Sequence, residues 1–460
     1  MSYAAAIEAL NALAPELYTA PGRARRKFSL AEIAVLLEEL GNPQQSFRSV
    51  LIAGTNGKGS TASTLASILR EAGLRTGLYT SPHLERPNER IQVNGAEIAN
   101  EDFARRYLRV AEAADALVIS GRLQQTPSFF EILTAMAFLH FEAAGVELAV
   151  LEVGMGGRLD ATNVVDPLIS VITDISLDHT EWLGPTIAAI AKEKAGILRR
   201  HGVLVTLPQH PEANQAIGEV ATELEVRGVN AVEYVPSLGP AAELEPGAGY
   251  RLSVLGHAIE AASPLFGTHQ QRNVALAVAA AVELAEHHGL AITAAAIERG
   301  IRTTEWPGRM EMLQRGKTTW VLDVAHNPAG AWALRASLRK LLEREAAAGR
   351  ARTLVFSCLK DKPVGELAQI LFPLFDRVVF APIASPRATP VDTLLAAAAA
   401  TGTAAEAASS VYAALQHKVS EDGGMVVVSG SVYLVGEARA VLLGHRAGWG
   451  EPDESGSAQT

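Results

Sequence analysis

The sequence predicts an α/β protein of two domains: a phosphate-loop, ATP-binding domain on a mostly parallel sheet, then a smaller Rossmann-like α/β domain. Three observations carry that expectation. Short β-rich runs alternate with longer helical patterns; one run ends in a glycine-rich turn bearing a lysine; and the alternation breaks once, at a segment with Pro and Gly, before restarting. A length of 460 residues agrees, since roughly 100–200 residues per domain gives two to three.

In chain order, β-rich runs fall at Val50–Ala53, Thr76–Thr80, Leu148–Val153, Ile169–Ile175 and Val203–Leu207, with helical patterns between them. Near-continuous apolar strands of this kind suit a parallel sheet covered on both faces. From Tyr250 to Ala261 the pattern becomes short and alternating, as in an antiparallel addition, and helices are expected over Gln271 to His287 and Thr293 to Ile301. The stretch Thr303-Thr304-Glu305-Trp306-Pro307-Gly308-Arg309 interrupts the pattern and marks a boundary. This gives a first domain over 1–303 with N-terminal helices, a second over 308–446 and a flexible tail over 447–460. In the second, strands are expected at Trp320–Val324, Thr353–Cys358, Val378–Ala381 and Met425–Val428.

Composition sets limits. Hydrophobic residues make up 48% and charged residues 20%, which describes a chain able to bury a large core. A net charge of −10 argues against general nucleic-acid binding. The lone cysteine, Cys358, excludes an intramolecular disulfide and a cysteine-only zinc site. Met1 to Leu10 lacks a basic leader, and no apolar run reaches membrane-spanning length, so a cytoplasmic, membrane-free setting is expected.

The chemistry begins at Gly54-Thr55-Asn56-Gly57-Lys58-Gly59-Ser60, between an apolar run and a helical pattern. Small residues let backbone N–H groups approach an anion, the helix N-terminus adds its dipole, and Lys58 can reach terminal phosphates. The loop departs from G-x-x-x-x-G-K-[ST]: two residues separate Gly54 from Gly57, and Gly59 stands between Lys58 and Ser60. In open parallel sheets ligands bind beyond the carboxyl ends of strands. Glu152 sits at such an end and needs either an ion pair, with Arg158 as the candidate, or a metal. After the next run comes Asp178-His179-Thr180, where His179 is either a satisfied structural residue or a ligand for Mn²⁺ or Mg²⁺. Lys194 falls on the apolar face of a helix expected over Thr186 to Arg199, with Ile190 and Leu198 four residues away. Either its stem snorkels outward, or its amine is desolvated, reactive and able to take up carbon dioxide.

Together with Tyr79-Thr80-Ser81-Pro82-His83-Leu84, Glu89-Arg90-Ile91, Glu152 to Asn163, Lys192 to Ile197, His269-Gln270-Gln271-Arg272-Asn273, Trp306-Pro307-Gly308-Arg309 and Asp323-Val324-Ala325-His326-Asn327-Pro328, these motifs resemble the folylpolyglutamate synthase and dihydrofolate synthase family of the Mur ligase superfamily. The resemblance covers most of the chain. It implies that Gly54, Thr55, Asn56, Gly57, Lys58, Gly59 and Ser60 hold ATP, with Asn273, Arg309 and Asp323 completing the nucleotide site across the domain junction. It implies Mg²⁺ at two sites served by Ser81, Glu152, His179 and a carbamylated Lys194, and a role for His326 and Ser431 in receiving L-glutamate. Dihydropteroate or a reduced folate would lie near Pro82, His83, Arg86, Arg90, Phe129, Phe130, Arg158 and Asp160. For Phe129 and Phe130 core packing is the competing reading, and for Arg86, Arg90 and Arg158 a solvated or paired charge.

The implied chemistry is ATP-dependent amide formation through an acyl phosphate, with Lys58, Glu152, His179, Lys194 and His326 as the catalytic set and no covalent enzyme nucleophile. Amine and acyl phosphate must meet away from water, so the junction near Thr303 to Gly308 is expected to hinge. The resemblance favours a monomer. A peptidoglycan-precursor ligase is the second enzyme reading, disfavoured by the inserted Gly59 and by His269-Gln270; a catalytically silent ATP-binding regulator is the reading from another class.

Overall fold

A computed structural model describes residues 1–13, 29–236, 248–416 and 423–444; the tail expected over 447–460 lies outside them. The chain forms two compact units. The first comprises Met1–His83, Asn88–Met310 and Asn327–Arg339, and the second Leu84–Pro87, Glu311–His326 and the chain from Lys340 onward.

The first unit is built on an eight-stranded sheet of β1 (Arg48–Ala53), β2 (Thr76–Tyr79), β3 (Ile91–Val93), β4 (Ala96–Glu97), β5 (Leu148–Glu152), β6 (Ile169–Ile172), β7 (Val203–Thr206) and β8 (Arg227–Asn230), in the order β4-β3-β2-β5-β1-β6-β7-β8. All pairs from β2 to β8 are parallel. β5 is buried throughout and β1 from Ser49 onward, because successive side chains enter two different cores. Leu51, Ala149 and Leu151 join one core with the helix Phe129–Ala143, whereas Val50, Ile52 and Val150 join another with the helices Lys58–Glu71 and Thr268–His287.

The antiparallel edge β3–β4 was not expected. Its signal is the dipeptide Asn94-Gly95, whose φ values of 53° and 81° are those of a type I′ hairpin turn. β9 (Tyr250–Val254) and β10 (His257–Ala261) form a separate two-stranded sheet, turning at Leu255 and Gly256 with φ of 50° and 75°. The helix expected over Thr186 to Arg199 ends at Ala195, and the loop helix begins at Lys58.

The second unit holds a six-stranded sheet of β11 (Glu311–Arg315), β12 (Thr318–Leu322), β13 (Ala351–Phe356), β14 (Arg377–Phe380), β15 (Ala405–Ala407) and β16 (Gly424–Ser429), in the order β11-β12-β16-β13-β14-β15. Only the β11–β12 pair is antiparallel. Trp320, Leu322, Val355, Val379, Val426 and Val428 form its core on one face. Cys358 is buried and free.

The helix Ala294–Arg302 crosses the loop helix at Gly300, where a Cβ would collide with the Ile68 backbone. Gly300→Ala is expected to destabilise the first unit by about 1–3 kcal/mol. Urea unfolding checks this, with a lowered midpoint as the expected outcome.

Candidate active site

Four neighbouring parallel strands, β2, β5, β1 and β6, end together, and the residues just beyond them converge. β1 runs into the glycine loop. Its backbone is held by the segment after β6: Thr55 and Asn56 N–H donate to the Asp174 carbonyl at 2.9 and 3.1 Å, and Thr173 Oγ1 donates to the Asn56 carbonyl at 2.8 Å. The Asp174 carboxylate is fixed in turn by Arg272 at 2.6 Å. Gly57 adopts φ of 88°, and a Cβ there would strike the Asn273 amide, which is steered by donating to Gln270 Oε1 at 2.8 Å. The first intrahelical bond is Thr61 N–H to Gly57, so the N–H groups of Lys58, Gly59 and Ser60 open the helix with its positive dipole end.

Charge is concentrated around this loop. Lys58 Nζ folds back to donate to the carbonyls of Gly54 and Thr55, both at 3.2 Å, and Lys194 Nζ donates to the same Gly54 carbonyl at 2.6 Å. Lys194 is buried, settling the choice against a snorkelling stem. Desolvation, then repulsion from Lys58, lowers its pKa to about 7, against the opposing attraction of Asp178 and Asp160. Glu152 ends β5 and is also buried; desolvation raises its pKa, opposed by Lys58, a 3.0 Å bond from the Ser81 N–H, and the charges of Arg309 and Arg90.

The ion pair considered for Glu152 with Arg158 is not formed. Arg158 instead pairs with Glu193 at 2.9 Å on the surface, which agrees with a paired charge. Asp160 is buried as the N-cap of Ala161–Val164, accepting from the Thr162 and Met155 N–H groups at 3.0 Å each. His179 holds φ of 50° at the start of the short helix Thr180–Leu183.

Ser81 and Pro82, joined by a cis peptide, follow β2. His83 Nδ1 accepts from Arg90 Nε at 2.9 Å, which requires a neutral acceptor nitrogen, and desolvation with the Arg90 charge holds its pKa well below the usual value. The Arg90 guanidinium lies over the Phe129 ring, 5.2 Å from its centroid. Phe130 packs 5.9 Å from Tyr79, and both phenylalanines lie against the core. Ser128 and Glu131 form a capping box, the Ser128 N–H donating to Glu131 at 2.8 Å and the Glu131 N–H to Ser128 at 3.2 Å. Arg86 is exposed.

Asp323, His326 and Ser431 belong to the second unit, beyond the carboxyl ends of β12 and β16. Asp323 accepts from the Ala325 N–H at 2.9 Å, His326 Nδ1 lies 3.0 Å from the Val324 carbonyl, and Ser431 caps the helix Val432–Leu443.

Two site residues were missed. Asn327 Nδ2 donates to Asn56 and to Asp178, both at 3.0 Å, so a buried amide links the glycine loop to the carboxylate after β6. Both residues lie within motifs quoted above, where the adjacent His179 and His326 drew the assignment. Among the described residues no group of three His, Cys, Asp or Glu forms a metal-holding cluster. The expected set differs in kind, resting on one carboxylate, one imidazole, a hydroxyl and a lysine. Of these, Glu152 and Ser81 are in contact through the Ser81 N–H, and a buried strand-end carboxylate with cationic side chains as its charged neighbours suits a divalent cation.

A lysine-bearing phosphate loop and a buried strand-end carboxylate on a parallel sheet, followed by a second α/β unit, define an ATP-dependent ligase of the Mur type. Residues 52–281 match the Mur ligase middle domain and residues 308–432 the Mur ligase glutamate ligase domain. The chain is 34% identical over 424 residues to the folylpolyglutamate synthase of Lacticaseibacillus casei, covering 90% of this chain and 94% of that one. It superposes with a TM-score of 0.83 and 33% identity on a Mycobacterium tuberculosis folylpolyglutamate synthase complexed with ADP and AMPPCP, covering 97% of this chain and 100% of that one. Escherichia coli FolC in complex with DHPP and ADP matches with a TM-score of 0.78 and 29% identity over 96% of this chain and 98% of that one. The chain belongs to the folylpolyglutamate synthase / dihydrofolate synthase family.

Asn327 also accepts from the Gly330 N–H at 2.8 Å, at the start of the helix Pro328–Ala347. Asn327→Ala is therefore expected to cost about 1–2 kcal/mol of stability and to weaken nucleotide binding, because a cap and the loop's amide link are lost together. Thermal unfolding with and without ADP measures both.

Proposed function

We propose that this enzyme attaches L-glutamate to dihydropteroate, to the glutamate tail of tetrahydrofolates, or to both, by way of an acyl phosphate. The observation that carries the reading is the convergence of Lys58 and Lys194 on one loop carbonyl beside the buried Glu152. A carboxylate is a poor acyl donor until its oxygen becomes a leaving group, and the γ-phosphoryl of ATP supplies one. The opened first turn of the loop helix binds phosphate oxygens through the N–H groups of Lys58, Gly59 and Ser60. Lys58 releases the Gly54 and Thr55 carbonyls and follows the charge of the transferring group.

Mg²⁺ held by Ser81, Glu152, His179 and Lys194 would offset phosphoryl charge. The Lys194 amine, with a pKa of about 7, is partly neutral at neutral pH; the neutral amine can add carbon dioxide at Nζ and release one proton to solvent, leaving a carbamate as an anionic oxygen donor. His83, Arg90 and Phe129 present a neutral imidazole, a guanidinium and an aromatic face in contact with one another, a set suited to a pterin bearing an anionic tail. Asn273, Arg309 and Asp323 are assigned to the nucleotide, and His326 and Ser431 to glutamate.

The deciding experiment is magnesium-dependent ADP release with ATP and L-glutamate, comparing 7,8-dihydropteroate with tetrahydrofolate. Release with at least one acceptor is expected; release with neither overturns the reading. Lys58→Met is expected to lower kcat about 10²- to 10³-fold. In ¹³C-bicarbonate, a carbamate resonance is expected from the wild type and none from Lys194→Met.

A further inference from the structure

We propose that Trp306 is a nucleotide-binding residue whose indole N–H donates to a phosphate oxygen of bound ATP, and whose ring is the reason a glycine stands at position 59. The inference deepens the ATP reading above and rests on it. A Cβ built on Gly59 would lie 2.5 Å from Trp306 Cζ2, 2.9 Å from Cε2 and 3.0 Å from Nε1, so the nitrogen-bearing edge of the indole rests against the first turn of the loop helix. That turn carries the N–H groups of Lys58, Gly59 and Ser60, which have no acceptors within the helix.

Trp306 Nε1 is itself buried and has no hydrogen-bond partner among the described residues, and neither has the buried Thr61 Oγ1, two residues beyond Gly59. A buried indole N–H usually finds a partner, and leaving it without one is costly. The backbone that leads into it is anchored. Ser63 Oγ donates to the Glu305 carbonyl at 2.7 Å, Thr304 Oγ1 to the Gly300 carbonyl at 2.8 Å, and Ser67 pairs with Thr303 at 3.1 Å, so the backbone leading into Trp306 is fastened to the loop helix. A donor held unsatisfied among other open donors fits an anionic oxygen that arrives with the ligand.

The test uses the full-length protein and ADP by calorimetry. Trp306→Phe keeps most of the ring and removes the N–H. It is expected to weaken ADP binding about 10-fold and to raise KM for ATP with little change in kcat. Its unfolding midpoint without nucleotide should not fall, because an unsatisfied donor has been removed; a residue serving packing alone would show the reverse pattern. Trp306→Phe binding ADP as tightly as the wild type overturns the inference, whereas a wild type that binds no ADP overturns the underlying ATP reading. For the ring, Gly59→Ala is expected to weaken ADP binding and Gly59→Ala with Trp306→Leu to recover part of it. No recovery would refute the steric half of the proposal.

Discussion

The carbonyl of Gly54 accepts hydrogen bonds from the side-chain nitrogens of two lysines, and the strands around it are arranged so that this can happen inside a protein. A charge on one lysine disfavours a charge on the other, and Lys194 is buried. Such burial is sustained only where opposite charge and oriented dipoles stand close by. Asp178 and Asp160 supply the first around Lys194, and Glu152 faces Lys58. A cluster so balanced without ligand has cationic side chains ready for the charge of ATP.

The positions of these groups follow from the sheet. β2, β5, β1 and β6 are adjacent and parallel, so Ser81, Glu152, the glycine loop and Asp174 to Asp178 emerge at one edge. Because both faces of these strands are filled mainly with apolar side chains, the polar groups of the site gather at the strand ends and just beyond them. Secondary contacts then lock the loop: Asp174 and Thr173 hold its backbone, Arg272 holds Asp174, and Asn327 joins Asn56 to Asp178.

Several motif residues have ordinary structural work in addition to any chemistry. Ser128 and Glu131 cap a helix, Asp160 organises a turn, and Arg158 pairs with Glu193. His83, Arg90 and Phe129 differ, since they contact one another in a chain of neutral acceptor, cation and ring.

The sequence by itself determined the parallel strands and the glycine loop, because apolar runs of strand length and Gly-Lys-Gly-Ser at a helix start are local signals with local causes. It did not reveal the edge strands β8 and β15, whose pairing with a neighbour compensates for weak propensity. Nor did it show where the helix bearing Lys194 ends, or which reading of Lys194, Arg158 or Phe129 holds. Those depend on partners distant in the chain: Gly54 lies 140 residues from Lys194, and Asn56 lies 271 residues from Asn327. Burial and charge compensation are properties of the assembled neighbourhood, so only the tertiary structure could decide them.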